Sequence, residues 1–248
     1  MDKAECIKPY KDDGRAKGEQ VRDMFDSIAP AYDFMNRAMT MGIDRIWRRR
    51  AVDRVAARCP ADIVDVASGT GDLAIAMARR LPSARILGID LSEGMLEIGR
   101  RKAAEAVPDA AVSFMTGDCL DLPLADASAD VVTVAYGVRN FADIAGGYRE
   151  MLRVLRPGGM LAVLELSVPT SPLVRPLYNF YTKRIIPAAG RVVSHDTSAY
   201  SYLPESIAAV AQGREMLALM EEAGFADCAF RSFTFGTCTL YTAFRPLS

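Results

Sequence analysis

The sequence predicts an α/β fold: a doubly wound, mostly parallel sheet of seven strands that finishes in an antiparallel hairpin. Three observations predict it. Between residues 63 and 166 short apolar runs alternate with helical patterns, the rhythm of a parallel sheet wound by right-handed crossovers. The run DVVTVAYG (130–137) is nearly all apolar and β-branched, as a strand buried on both faces requires. The end of the chain, ADCAFRSFTFGTCTLYTAFRP, reads as two strands flanking Phe235-Gly236 at one sheet edge.

Taken in order, residues 1–18 are charged, mixed and aperiodic, and are expected to form a mobile tail. Residues 19–248 then form one domain. Residues 19–58 read as a helical cap: Val21, Met24, Phe25 and Ile28 recur at helical spacing, Pro30 is expected to break the run, and a second helix follows from Ile43 through Trp47 to Val55. IVDVAS (63–68) is a strand, 72–81 a helix and RILGID (85–90) a strand. Residues 92–107 form a helix opened by Ser92, and AVSFMTGD (111–118) a third strand. After DVVTVAYG come a helix over 143–155 and the strand GMLAVLEL (159–166). The rhythm stops at Ser167. An insertion over 167–211, rich in Pro and aromatic residues, is expected to shape a site before a helix resumes at 214–223.

Composition excludes several classes. Half of the 248 residues are hydrophobic, enough for one substantial core. Lys plus Arg total 30 against 31 for Asp plus Glu, so no global field exists to attract nucleic acid. Five cysteines with no C-x-x-C pair, beside a single histidine, argue for a reducing cytoplasm and against a metal site. No apolar run reaches the ~18 residues that a membrane span needs, so a soluble protein is expected.

The turn D-V-A-S-G-T-G-D (65–72) carries the chemistry. Gly69 and Gly71 stand where backbone must approach a ligand closely, and the following helix aims its first amides at it, with Ser68 and Thr70 between. This is not G-x-G-x-x-G, because Ala74 occupies the third position and Asp72 sits where a pyrophosphate would meet the helix. Asp65 and Asp72 together favour a cationic ligand. A turn that merely permits a sharp bend is the competing reading. Asp90 ends the second strand roughly 20 residues beyond the glycines, where a carboxylate accepts hydrogen bonds from two ribose hydroxyls; the alternative is a helix-entry aspartate beside Ser92. Asp118, with the backbone amide of Cys119, suits an adenine amino group and ring nitrogen, and Asp121 is expected in solvent. Leu91, Met95, Ala135 and Tyr136 complete the candidate cofactor wall.

The order VDVASGTGD, GIDLSEGML, TGDCLDLP and LRPGG (155–159) is similar to that of class I methyltransferases, which have a Rossmann-like sheet. Three further stretches resemble the ubiquinone/menaquinone biosynthesis C-methyltransferases: FDSIAPAYDFMN (25–36) with MGIDRIWRR (41–49), YGVRNFAD (136–143) and YSYLPESI (200–207). The resemblance implies S-adenosylmethionine as methyl donor, S-adenosylhomocysteine as product and no metal. It implies carbon methylation of demethylmenaquinol or of the related benzoquinol. A homodimer and peripheral contact with the inner face of the membrane are further expectations for its partners and location. Against it stand a different small-molecule acceptor, a noncatalytic adenosine-ligand binder and, least favoured, a nicotinamide dehydrogenase. Ala135, Val210-Ala211 and Tyr241 depart from the family pattern and bear on the acceptor.

Arg139 follows the fourth strand at the carboxyl edge of the sheet, where it can stabilise a developing naphtholate; alternatively it binds the methionine carboxylate. Tyr32, Asp33 and Asn36 are expected between two cap helices, with Tyr32 the second catalytic candidate and Asp33 alternatively an N-cap. His195-Asp196 resembles a base pair of the His–carboxylate kind, but a lone histidine on a polar loop reads first as structural. Over 172–186, Leu173, Leu177, Tyr181 and Ile185 fall at helical intervals beside Arg175, Lys183 and Arg184. The stripe is expected to pack as a lid, with a lipid surface as the alternative.

Overall fold

Four of the five residues of strand β1 (Asp62–Val66) are buried, because β1 lies inside the sheet and is covered on both faces. The computed structural model describes residues 3–185 and 197–247. β2 (Arg85–Asp90), β3 (Val112–Thr116), β4 (Ala129–Ala135) and β5 (Leu155–Leu166) run parallel to it. β6 (Ala226–Phe233) and β7 (Cys238–Phe244) complete the order β3-β2-β1-β4-β5-β7-β6, with β7 antiparallel to both neighbours. The expected doubly wound sheet with its terminal hairpin is therefore present. The order reverses at β1, and the crevice outside the carboxyl ends of β1 and β4 is where open α/β sheets bind ligands.

Helices α1 (Lys17–Thr40), α2 (Asp44–Ala56), α3 (Asp72–Arg80), α4 (Glu93–Ala106), α5 (Ile144–Val154), α6 (Arg175–Phe180), α7 (Thr197–Ala209) and α8 (Arg214–Glu222) surround it. Successive β1 residues point to opposite faces, as the period-2 pleat dictates. Ile63 packs with Trp47, Leu73, Met77 and Leu96 beneath α2, α3 and α4, whereas Val64 packs with Tyr148, Met151, Met216 and Met220 beneath α5 and α8. Tyr148 and Met151 are fully enclosed, and each such side chain contributes about 1.5–3 kcal/mol. Ser92 caps α4 by accepting from the Met95 amide at 3.1 Å, and Asp143 caps α5 through Gly146 at 2.8 Å.

Three expectations change. α1 does not stop at Pro30 but runs 24 residues through it. Proline inside a helix costs about 3 kcal/mol, but Val21, Met24 and Ile28 before it and Met35 after it are all buried, which outweighs one lost hydrogen bond. The first residues are seated rather than free: Ala4 is fully buried, Lys17 Nζ donates to its carbonyl at 2.7 Å, and Glu5 accepts from the Ile144 amide at 3.0 Å. The first half of the stripe after β5 is not packed as a lid either. Leu173, Leu177 and Phe180 are 88%, 71% and 59% exposed, while the Tyr181 hydroxyl donates to the Met39 carbonyl at 2.8 Å and ties this segment to the end of α1. No helix among the described residues is long and apolar enough to cross a membrane.

Candidate active site

The chain leaves β1 through two left-handed residues, Ala67 (φ 53°) and Gly69 (φ 54°), and reaches Gly71 (φ 75°) just before α3. The two glycines serve different needs. A Cβ on Gly71 would lie 2.6 Å from the Phe114 ring, so that glycine is demanded by packing. A Cβ on Gly69 would meet nothing within 4 Å, because Gly69 faces an open cleft. Tyr136, at the end of β4, is also left-handed (φ 61°), so non-glycine strain gathers where β1 and β4 end.

The cleft measures about 790 Å³ out to its open mouth and falls in the ordinary range for small-molecule sites. Gly69, Asp90, Leu91, Met95, Asp118, Cys119, Ala135 and Tyr136 line it, which brings together eight of the twelve expected cofactor residues. α1 roofs it with Val21, Arg22, Phe25 and Tyr32. That helix is fastened at two acids: Asp26 accepts from the Ser92 hydroxyl at 2.5 Å and the Gly94 amide at 3.1 Å, and Asp33 accepts from the Thr70 hydroxyl at 2.6 Å and from Lys102 at 2.6 Å. Asp33 and Tyr32 thus lie within one helix, and Asp33 clasps the glycine turn instead of capping a second helix.

A smaller cavity opens on the other side of the turn, lined by Arg48, Asp65, Ser68, Gly69, Thr70 and Tyr136 among others. Asp65 Oδ1 accepts from the Thr133 hydroxyl at 2.6 Å, whereas Asp65 Oδ2 and Ser68 Oγ are buried with no hydrogen-bond partner among the described residues. Burial pushes the Asp65 carboxyl up to about 7. Gly71 lines neither space. Asp72 is not a free negative charge: Lys102 lies 2.5 Å and Arg48 3.6 Å from its oxygens, and they hold its pKa down against burial. Among the described residues lining this cavity, Asp65 is the one acid without an ion-pair partner, a narrower basis for cation preference than two acids.

A third cavity separates α1 from α7. Met24, Phe25, Ile28, Met35 and Met39 form its apolar wall, and Tyr32, Asn36, Arg139, Asn140 and Tyr202 supply its polar groups. Arg139 is 5% exposed and is held by Glu165 of β5 at 2.7 Å and by the Tyr136 carbonyl. Burial opposes its charge, but Glu165 together with the neighbouring Tyr32 and Tyr202 outweighs it and keeps the pKa above the usual arginine value. Its Nε has no hydrogen-bond partner among the described residues. The Tyr202 hydroxyl donates to Asn140 Oδ1 at 3.1 Å. Tyr32 borders all three cavities, and burial raises its phenol pKa.

Residues 14–245 match the model of the ubiE/COQ5 methyltransferase family. The chain belongs to this family. It is 46% identical over 239 residues to the demethylmenaquinone methyltransferase of Bacteroides fragilis, covering 96% of this chain and 97% of that one. It is 45% identical to the protein of the same name in Porphyromonas gingivalis (99% and 100% covered). It is 44% identical to a ubiquinone/menaquinone biosynthesis C-methyltransferase UbiE of Geobacter sulfurreducens (93% and 90%). Among solved structures, the [4+2]-cyclase SpnF superposes with a TM-score of 0.66 at 18% identity over 93% of this chain and 97% of that one. An S-adenosylmethionine-dependent methyltransferase of Thermotoga maritima gives 0.63 at 18% over 91% and 99%. Those two likenesses bear on the fold alone. Family membership makes the chain an S-adenosylmethionine-dependent methyltransferase.

Within this methyltransferase the motifs singled out in sequence converge. FDSIAPAYDFMN, YGVRN and YSYLPESI meet in the third cavity through Phe25, Tyr32, Asn36, Arg139, Asn140 and Tyr202. Of the departures from the family pattern, Ala135 faces the cleft, whereas Val210 and Ala211 are core residues and Tyr241 is buried with its hydroxyl accepting from the Gly213 amide at 2.9 Å. Sequence reasoning missed Glu165, Asn140 and Tyr202. A carboxylate inside the apolar strand GMLAVLEL was the signal for Glu165. His195-Asp196 lies outside the described residues.

Proposed function

We propose that this chain transfers the methyl group of S-adenosylmethionine to a ring carbon of demethylmenaquinol, giving menaquinol. The observation that carries the reading is the junction at Tyr32, where a cleft ending in Asp90 and Asp118 meets an apolar cavity holding one fixed cation, Arg139. The relatives named for demethylmenaquinone, similar over nearly the whole chain, support the acceptor class.

The open space at Gly69 and the unpartnered oxygen of Asp65 fit a bound donor. In this reading Asp90 accepts from both ribose hydroxyls, Asp118 and the Cys119 amide meet the adenine, and Leu91, Met95, Ala135 and Tyr136 pack around it. Ser68, Gly69, Thr70 and Asp65 border the methionine end. The donor supplies a methyl already activated by a sulfonium charge, so the protein's main task is alignment. When a ring hydroxyl of the acceptor loses its proton to water, Arg139 stabilises the oxyanion whose electron density moves onto the adjacent carbon; that carbon takes the methyl as the S–CH3 bond breaks to leave S-adenosylhomocysteine, and its own hydrogen then leaves as a proton to water, restoring the aromatic ring. Arg139 is too basic to take that proton itself. Tyr32, protonated at neutral pH, donates to a ring oxygen at the same junction.

The acceptor's lipid tail leaves toward the end of α1, where Phe34 and Met41 are exposed and the Tyr181 tie to Met39 brings in the segment bearing the exposed Leu173, Leu177 and Phe180 with Arg175. Such a surface suits peripheral contact with an anionic bilayer. Incubation with methyl-labelled S-adenosylmethionine and a panel of reduced demethylated naphthoquinones and benzoquinones, followed by mass spectrometry, tests the function. Label on a ring carbon of the naphthoquinol is expected; label on no quinol refutes the reading.

A further inference from the structure

Lys17 opens α1 and is only 5% exposed. Its ammonium donates to three carbonyls: Ala4 at 2.7 Å, Phe141 at 3.0 Å and Arg139 at 3.1 Å. Three acceptors match the three N–H bonds of a lysine ammonium. Arg139 and Phe141 belong to the segment that follows β4, where Val138–Asn140 make one tight helical turn and Phe141 is already extended (φ −61°, ψ 142°). A turn so short cannot satisfy its own last carbonyls, and because Arg139 and Phe141 are buried these oxygens need a donor from elsewhere in the chain. Lys17 is that donor.

The Arg139 carbonyl belongs to the peptide plane that joins Arg139 to Asn140, and both residues line the acceptor cavity. Residue 139 is also held by Glu165, which accepts from its backbone amide at 3.3 Å and from its guanidinium at 2.7 Å. Asn140 accepts from the Tyr202 hydroxyl at 3.1 Å. Rotating the rigid 139–140 peptide would re-aim both side chains together. The bond from Lys17 resists that rotation. The same ammonium ties the first turn of α1 to this segment, and α1 carries Phe25, Tyr32 and Asn36 into the same cavity. Lys17 itself lines none of the three cavities.

We propose that Lys17 is a positioning residue for methyl transfer: it holds the Arg139–Asn140 peptide against α1, so that the Arg139 guanidinium and the Tyr32 phenol converge on the acceptor ring. The inference rests on Arg139 serving the acceptor, as proposed above. The structural alternative is that Lys17 only satisfies buried carbonyls and has no bearing on turnover.

A double-mutant cycle on the full chain separates the two, read by steady-state turnover of a reduced demethylated naphthoquinone beside S-adenosylhomocysteine calorimetry and thermal melting. Lys17→Met is expected to lower kcat by about 10- to 100-fold, the effect of a small misplacement, with KM for the quinol and S-adenosylhomocysteine affinity little changed. In an Arg139→Lys background the same change is expected to cost no more than about twofold further, because the guanidinium it aims is already gone. Lys17→Arg, which keeps the charge and the N–H donors, is expected to recover part of the turnover. Losses that multiply in the double variant overturn the proposal in favour of the structural alternative, as does Lys17→Met with a lower melting temperature and wild-type kcat. If Lys17→Met does not fold, Lys17→Gln, which keeps two N–H donors, takes its place in the cycle with the same two outcomes. If Arg139→Lys alone turns over like the wild type, the acceptor reading fails first and this inference falls with it.

Discussion

The backbone amide of Gly69 donates to Asp90 Oδ2 at 2.8 Å, while Oδ1 of the same carboxylate accepts from the Ser92 amide at 2.9 Å. One side chain at the end of β2 thus holds both the glycine turn and the entry to α4 in register, and it does so at the edge of the donor cleft. Burial pushes the Asp90 pKa up, with the two backbone bonds opposing it. Asp90→Ala is expected to weaken S-adenosylhomocysteine binding by about 1–3 kcal/mol, read by calorimetry, and to lower the melting temperature because the Gly69 and Ser92 amides lose their acceptor.

Gly69→Ala and Gly71→Ala separate recognition from packing. Both force a left-handed alanine at a cost of roughly 1 kcal/mol. Gly71→Ala adds a clash with Phe114 and is expected to lose roughly 2–4 kcal/mol of folding stability. Gly69→Ala is expected to stay folded and to lose donor affinity, since its methyl enters the cleft. Denaturant titration and calorimetry on both variants check the division. Similar stability losses in the two would refute it.

Asp65 sets a pH dependence. Its carboxyl is raised from 3.8 to about 7 by burial, so the stability it contributes is fully present below pH ~4 and is lost as pH rises through about 7. Donor binding brings an ammonium to the ionised form and therefore expels a proton below pH 7. Affinity for S-adenosylhomocysteine is expected to rise up to about tenfold per unit as pH increases toward 7 and to level off above it. Asp65→Asn is expected to bind weakly with a flat profile. Calorimetry in buffers of different ionisation enthalpy reads the released proton directly.

Arg139 and Glu165 form a pair in which neither partner is more than 6% exposed. Removing one partner strands the other, so Arg139→Ala is expected to cost about 3–5 kcal/mol of stability. Arg139→Lys keeps the charge but not the planar fork. It is expected to lower turnover by roughly 10²-fold with S-adenosylhomocysteine affinity unchanged, measured by steady-state kinetics beside calorimetry. A loss of cofactor affinity alone would remove Arg139 from the acceptor chemistry.

The exposed apolar face around α6 is expected to bring the protein to the top of a flotation gradient with vesicles containing anionic lipid, less so at high salt. Leu177→Asp with Phe180→Asp is expected to abolish flotation and leave donor binding intact. Absence of wild-type flotation would leave the lipid acceptor to be delivered by another route.

The sheet was legible because its signals are local and repeated: apolar strands, the Ser92 and Asp143 caps, and the glycine turn each carry their own chemistry. Pro30 misled because a local rule was overridden by a buried face continuing across it. The N-terminal residues hid their packing because Glu5 and Lys17 find partners more than 100 residues away, Glu5 at Ile144 and Lys17 at Arg139 and Phe141. The cofactor cleft was legible at strand ends, where position in the fold dictates function. Arg48, Glu165 and Asn140 were not, because what makes each significant is a neighbour from another element. Asp72 looked like a free charge for the same reason: Lys102, its neutralising partner, is 30 residues further along.

The central claim is that two chemically different spaces meet at one tyrosine. A crystal structure with S-adenosylhomocysteine and a short-tailed demethylated naphthoquinol tests it most directly. The account predicts the ribose on Asp90, the sulfur beside Tyr32, and the ring between Met35 and Arg139. A ring bound elsewhere, or a nucleoside that leaves Asp90 untouched, would contradict it.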